Sequence, residues 1–280
     1  MRRPFLAALR SHARPKTTSR ALPPSIRRAS SPSPITHTDI PSFLRYANLA
    51  GLNPTTTVFT GTLYEYTVLA ALSRLPGISL TRIGGKDDAG IDLQGFWELP
   101  RLTSTNSDST QIKIPMIVQC KFGGEKSWKG PQYVRELEGA LANHPIDALG
   151  VLAGVRDMTP GMRRQMLSSR RALGFIKVTP LDGIYKAKNK ALNHEEEECD
   201  GEEADVTFHL TGRGGLLQQF AWNEVANRSL GGFGITARYV PRAHSIPDVP
   251  LDDADTSDPD DPFEQEITLT WNGVPVSKAP

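Results

Sequence analysis

An α/β fold with a central mixed sheet flanked by helices is predicted by three observations. The order of elements between residues 61 and 178 is helix, three strands, helix, strand, helix, strand. Apolar spacing switches from a helical to an alternating period at Pro76-Gly77. The ordered stretch spans about 130 residues, a usual domain size.

The elements follow from local pattern. Gly61–Leu75 has Glu65, Val68, Leu69 and Leu72 at helical spacing, which aims the Glu65 carboxylate at an apolar face. Such a group is costly there unless it is paired, hydrogen-bonded or metal-bound. Ile78–Ile83 reads as a strand, Gly84–Gly90 as a turn and Ile91–Trp97 as a second strand. Glu98–Lys113 is Ser/Thr-rich, a long loop or hairpin tip, and Ile114–Phe122 returns as the third strand. Pro131 opens a helix whose buried positions are Val134, Leu137 and Leu141. Asp147–Ala153 is an apolar strand, Pro160–Leu173 a basic helix and Gly174–Val178 a last strand. Beyond it, Val206–Leu210 as strand, Gly215–Leu230 as helix and Phe233–Val240 as strand give a small αβ C-terminal extension. The end of the chain carries the alternation and Asn272-Gly273 turn of a hairpin.

These elements divide the chain into a leader at 1–38, a main domain at 39–179, an acidic loop at 180–205, the extension at 206–240, and a flexible acidic tail with a terminal hairpin at 241–280. The leader holds seven Arg and one Lys with no acid, so the formal charge of +1 for the chain leaves −7 on the remainder. Its Arg, Ser and Pro content is that of an organellar transit peptide, and import into the mitochondrial matrix is expected. The alternative is a basic arm that touches nucleic acid. No apolar run approaches the roughly 20 residues that span a bilayer. With only Cys120 and Cys199, neither a disulfide framework nor a structural zinc site is expected.

Two short segments carry the chemistry: Gly90-Ile91-Asp92-Leu93 and Val118-Gln119-Cys120-Lys121. On an extended strand Gln119 and Lys121 share a face and Cys120 takes the other. Paired as a hairpin, the segments bring a carboxylate, an amide and an ammonium to one sheet edge. Hydrolysis of a phosphodiester needs an activated water and positive charge beside the phosphate. Mg²⁺, or Mn²⁺, needs only one or two carboxylates besides water and phosphate. Asp92 is then the direct ligand, Glu65 a second one through water, and the Cys120 backbone carbonyl a third oxygen. Lys121 holds the attacking water and offsets phosphate charge, and Gln119 orients water or binds the metal weakly. Each residue also has a plainer role open to it: Asp92 as the end of a turn, Lys121 as an edge-strand charge, Glu65 as a surface residue.

The succession Glu65, Gly84-Gly85, Asp88-Ala89-Gly90-Ile91-Asp92-Leu93, Gln119-Cys120-Lys121 and Gly130-Pro131 leading into Val134–Ala140 resembles the Mrr-type branch of the PD-(D/E)XK restriction-endonuclease-like superfamily. The resemblance covers roughly Gly51–Val178. It implies a restriction-endonuclease-like core and a metal-dependent nuclease, with Asp92, Gln119 and Lys121 as catalytic positions and Glu65 as the helix carboxylate. Gln119 stands where many members of the superfamily have a second acid. With its basic leader, the whole chain is also similar to a family of fungal mitochondrial proteins of respiratory growth, which implies a role in mitochondrial genome maintenance.

DNA is the expected partner, with RNA left open and a homodimer allowed. Because the body is acidic, affinity must come from local patches. Lys121, Lys126 and Lys129 form one, and Arg163 with Arg170, seven apart on the predicted basic helix, form another. The competing reading is a weak or inactive nuclease-fold factor that binds DNA or a protein.

Overall fold

Among the described residues the first element is a helix that the apolar periodicity did not announce. In the computed structural model, which describes residues 37–83, 90–99, 112–124, 128–187, 206–241 and 263–276, α1 spans Ile40–Leu49. Its start is set by a capping box: the Asp39 carboxylate accepts the Ser42 N–H at 2.8 Å, and the Ser42 hydroxyl oxygen accepts the Asp39 N–H at 3.0 Å. Helix α2, Thr57–Ser73, follows, and Thr56 caps it by accepting from the Phe59 N–H. Phe43 and Ala47 of α1 pack with Phe59, Leu63 and Tyr66 of α2.

The central sheet takes β1 (Ile78–Arg82), β2 (Leu93–Leu99), β3 (Ile112–Lys121), β4 (Leu149–Gly154), β5 (Leu173–Val178) and β8 (Leu217–Trp222), in the order β1-β2-β3-β4-β5-β8. The pairs β1–β2, β2–β3 and β5–β8 are antiparallel, while β3–β4 and β4–β5 are parallel. Parallel neighbours need a crossover, supplied by α3 (Pro131–Ala140) and α4 (Pro160–Ser168). Helix α2 packs on one face, with Tyr64, Val68, Ala71 and Leu72 against Leu93, Trp97, Met116, Val118 and Ile176. Helices α3 and α4 cover the other, with Val134, Leu137, Met162 and Met166 against Ile117, Leu152 and Phe175. Strand β4 is covered on both faces, so all six of its residues are buried. The predicted mixed α/β architecture with a central sheet between helices is therefore present.

Several boundaries differ from expectation. The basic helix stops at Ser168 because Ser169 is extended, with ψ 143°, and β5 starts at Leu173. Part of the expected acidic loop, Leu181–Ala187, is strand β6, paired antiparallel with β7, Val206–Gly214. The predicted helix Gly215–Leu230 is instead strand β8 followed by a short helix α5, Glu224–Ser229. Its apolar residues Leu217 and Phe220 fit a helical spacing, but pairing with the edge of β5 decides the outcome. The C-terminal hairpin is present and longer than expected: β9 (Phe233–Pro241) pairs with β10 (Phe263–Trp271), which turns through Asn272 and Gly273 into β11 (Val274–Pro275). Both turn residues have positive φ, 47° and 82°, as a two-residue hairpin turn of this hand requires. Ile267 and Leu269 of β10 join the core beneath α2.

The leader up to residue 36, the turn 84–89, the loop tip 100–111, Lys126, the acid run Glu195–Asp205 with Cys199, and most of the acidic tail lie outside the described residues. Among the described residues no helix is long and apolar enough to cross a membrane.

Candidate active site

The hairpin β2–β3 sets the site. Its register pairs Leu93 with Val118, so Asp92 lies one step past the pairing, at the end of the sheet where Gln119, Cys120 and Lys121 emerge. The Asp92 N–H donates to the Val118 carbonyl at 3.0 Å, and its carbonyl accepts from the Ile83 N–H at 2.9 Å. Its carboxylate Oδ2 accepts the Cys120 N–H at 2.6 Å. A strand's N–H and C=O from one residue leave on the same edge, so the Cys120 carbonyl also lies on the Asp92 side of β3.

Gly90 makes room for this arrangement. It has φ 79°, and a Cβ there would fall 2.9 Å from Gln119 Nε2. Gln119 is 4% exposed, and its Oε1 has no hydrogen-bond partner among the described residues. A buried amide oxygen in that state is costly. It is where an ion or a water would be bound.

Alternation along β3 sends its residues to opposite faces, as expected. Cys120 packs with the cluster under α2, whereas Lys121 turns to α3. There the Lys121 ammonium meets Glu136 Oε2 at 3.0 Å and lies 4.9 Å from the centre of the Tyr133 ring. From the α2 face comes Glu65, with a side chain 16% exposed, ion-paired to Arg82 through Nε. Arg82 also lies over the Tyr66 ring, whose hydroxyl donates to the His37 carbonyl at 2.6 Å and is 2.7 Å from His37 Nδ1.

The Cys120 thiol reports how closely these charges converge. Burial pushes it well above the ordinary thiol value, Asp92 and Glu65 push it further, and Lys121 and Arg82 pull the other way. The thiol thus stays protonated, neither a nucleophile nor a soft metal ligand. Only its backbone can serve an ion. Burial, and secondarily Arg82, holds His37 below the usual imidazole value.

Asp92, Gln119, Cys120, Lys121 and Glu65 are thus brought to one end of the sheet. Among the described residues no three His, Cys, Asp or Glu side chains cluster as a metal site. The oxygens on offer are two carboxylates, an amide oxygen and a backbone carbonyl. Hard oxygen donors of this kind fit Mg²⁺, which keeps several waters and asks little of the protein.

Sequence reading missed Arg82, Glu136, Tyr133 and His37. Arg82 ends a strand with alternating burial, and its inward turn was the available signal. The expected arginine face fails. Helix α4 ends before Arg170, so Arg163 and Arg170 do not share one helical side, and Arg171 is spent on the His144 and Pro145 carbonyls. Lys129 is exposed just ahead of α3.

The sequence profile of the family described as Required for respiratory growth protein 7 matches residues 56–116 and 103–207, a stretch that includes Glu65, Arg82, Asp92, Gln119, Cys120, Lys121, Tyr133 and Glu136 but not His37. An uncharacterised mitochondrial protein of Schizosaccharomyces pombe is 32% identical over 151 residues, 54% of this chain and 57% of that one. Proteins named Required for respiratory growth protein 7, mitochondrial, align from Vanderwaltozyma polyspora, 35% identical over 31% of this chain and 48% of the relative, and from Saccharomyces cerevisiae, 31% identical over 31% and 49%. The chain spans about half the length of these curated relatives. No solved structure matches it.

Proposed function

Because this chain belongs to the Required for respiratory growth protein 7 family, whose members are named as mitochondrial, we propose that it is a metal-dependent endonuclease of the mitochondrial matrix, with a restriction-endonuclease-like core, that hydrolyses DNA phosphodiesters in genome maintenance. The observation that carries the reading is Gln119 Oε1, buried and without a partner among the described residues, one position before Cys120, whose N–H anchors the Asp92 carboxylate.

Asp92, Gln119 Oε1 and the Cys120 carbonyl would hold Mg²⁺ or Mn²⁺, with Glu65 reaching it through water. When bound, the ion lowers the pKa of a water and screens phosphate charge. The remaining steps fall to the protein. Asp92 fixes the end of β3 through two hydrogen bonds, which sets where Gln119 and Lys121 stand. Gln119 offers an acceptor that orients a water. Lys121, tethered by Glu136, places a cation where negative charge develops on the phosphate. Arg82 holds Glu65 in place from behind.

The test uses the full chain with supercoiled plasmid and Mg²⁺ or Mn²⁺, beside Asp92→Ala and Lys121→Ala. Nicking by the wild type that both substitutions abolish is the expected result. A second reading, a nuclease-fold factor that binds DNA without cutting it, draws on the two ion pairs that occupy Lys121 and Glu65. Inert wild type that still binds plasmid selects it.

A further inference from the structure

Strand register draws a line across the sheet that starts at Lys121. Lys121 pairs with Gly154 of β4, Gly154 with Lys177 of β5, and Lys177 with Gln219 of β8. Directly paired residues share a face, so these four positions form a row on the α3 side. Neighbouring strands lie about 4.8 Å apart, which puts the far end about 14 Å from Lys121.

What fills the row is unusual for a sheet surface. Gly154 carries no side chain, and the Trp128 ring occupies its place: a Cβ there would fall 2.3 Å from Trp128 Cη2. Trp128 Nε1 and Gln219 Oε1 are both buried without a partner among the described residues. With Gln119 Oε1, three such atoms fall on this face of the sheet or directly over it. Lys177 Nζ donates to Asp157 Oδ1 at 3.0 Å, on a carboxylate whose side chain is 80% exposed.

The row ends in a cavity of about 290 Å³ lined by Asp157, Lys177, Gln218, Gln219 and Gln265. A β-bulge builds it. Lys177 pairs with Gln219 but Val178 pairs with Leu217, which leaves Gln218 as the extra residue. The bulge keeps Leu217 and Phe220 both in the core and lets two consecutive glutamines line one cavity. Bulges re-aim side chains in this way, and they gather near functional sites.

We propose that this cavity seats a nucleotide of the DNA strand whose scissile phosphate lies at Lys121, a few nucleotides along, with the strand passing over Trp128. The inference rests on the nuclease reading above and adds a substrate class: a strand unpaired at this point. A cavity of this size takes one base, and a base held in a duplex stack does not present its edge to a pocket on the protein. Lys177 exchanges Asp157 for a phosphate, the glutamine amides pair with the base edge, and the Trp128 ring offers a stacking surface.

The experiment measures binding of the full chain, without divalent cation, to a labelled dinucleotide and to a longer single-stranded oligodeoxynucleotide. The Lys177→Ala/Gln219→Ala variant is expected to lose roughly tenfold in affinity for the longer strand. The loss should be smaller for the dinucleotide, which cannot reach both ends of the row and can occupy the Lys121 end, where the variant is unchanged. Its salt slope should fall by about 0.7, one phosphate contact on a single strand. Asp157→Asn, which frees Lys177, should tighten binding. Matching thermal unfolding of the variants excludes misfolding as the cause. Equal affinity of wild type and double variant for the longer strand overturns the path, even where plasmid cleavage succeeds. Length-dependent loss without any plasmid cleavage supports the path and removes only the nuclease reading. Tighter binding of an RNA of the same length overturns the choice of DNA.

Discussion

Arg82 and Glu65 show how much a single pair can hold. Both side chains are at most one-fifth exposed, so removing one partner leaves the other charged and poorly solvated. Arg82→Met is expected to destabilise the fold by about 3 kcal/mol, and Arg82→Met/Glu65→Leu to recover much of that. Urea unfolding of the four species measures both numbers. If Glu65 also serves the ion, Mg²⁺ should raise the melting temperature of Arg82→Met more than that of the wild type, since ligand stabilisation grows when the arginine no longer competes for the carboxylate. Cys120 gives a pH-dependent counterpart. Its folded thiol is held above the ordinary value of 9.0, so the unfolded chain releases this proton first as pH rises. Stability should therefore fall as pH rises beyond about 9, and Cys120→Ala should flatten that decline. Melting temperatures taken across this range decide it. A steep decline that persists unchanged in the alanine variant would show that other groups, Tyr64 among them, control the alkaline limit.

Asn223 does for elements what Arg82 does for charges. It is 1% exposed, and its Oδ1 accepts from the Leu173 and Ala226 N–H groups while its Nδ2 donates to the Met166 and Arg171 carbonyls. One side chain thus caps α5, starts β5 and closes the end of α4. Asn223→Ala strands these groups and should cost at least about 2 kcal/mol, seen as a lower denaturant midpoint with an unchanged slope. Asn223→Asp, which keeps the cap acceptor but turns a carboxylate oxygen toward the Met166 and Arg171 carbonyls, should cost at least as much. This residue also explains where reading from sequence ran out. Strands β1 to β5 were legible because Gly and Pro punctuate them and their apolar runs are short. Asp92, Gln119 and Lys121 were legible because they sit at the ends of those strands. The early stop of α4 was not, since it depends on Asn223, more than fifty residues further along, accepting and donating at its end. Strand β8 was not, because its apolar spacing suits a helix as well and only the open edge of β5 selects the strand. For the same reason the row from Lys121 to Gln219 has no sequence signature: it exists only in the register.

The C-terminal segments bear on whether the part of the chain that carries the site stands alone. Sequence reading closed the main domain at 179, yet β8 completes the central sheet and β10 adds Ile267 and Leu269 to the core beneath α2. A buried Glu266, 5% exposed, ties the two parts by charge: its carboxylate lies 2.6 Å from Arg238 of β9 and 3.5 Å from Arg74 at the end of α2. Deleting residues from 206 onward would strip Leu217, Phe220, Leu230, Phe233, Ile267 and Leu269 from that core. At roughly 2 kcal/mol for each of these six large apolar side chains, the loss is about 12 kcal/mol, as large as the stability of a typical domain. The deletion also bares the edge of β5, an unpaired strand that invites association. The chain ended at residue 205 is therefore expected to be aggregated or to unfold without a cooperative transition, whereas full-length protein melts sharply. Circular dichroism and light scattering on both would decide. A soluble, cooperatively folding truncation that still binds metal would show that β1 to β5 with α2 to α4 hold the site unaided, and that the C-terminal strands serve only the far end of the row.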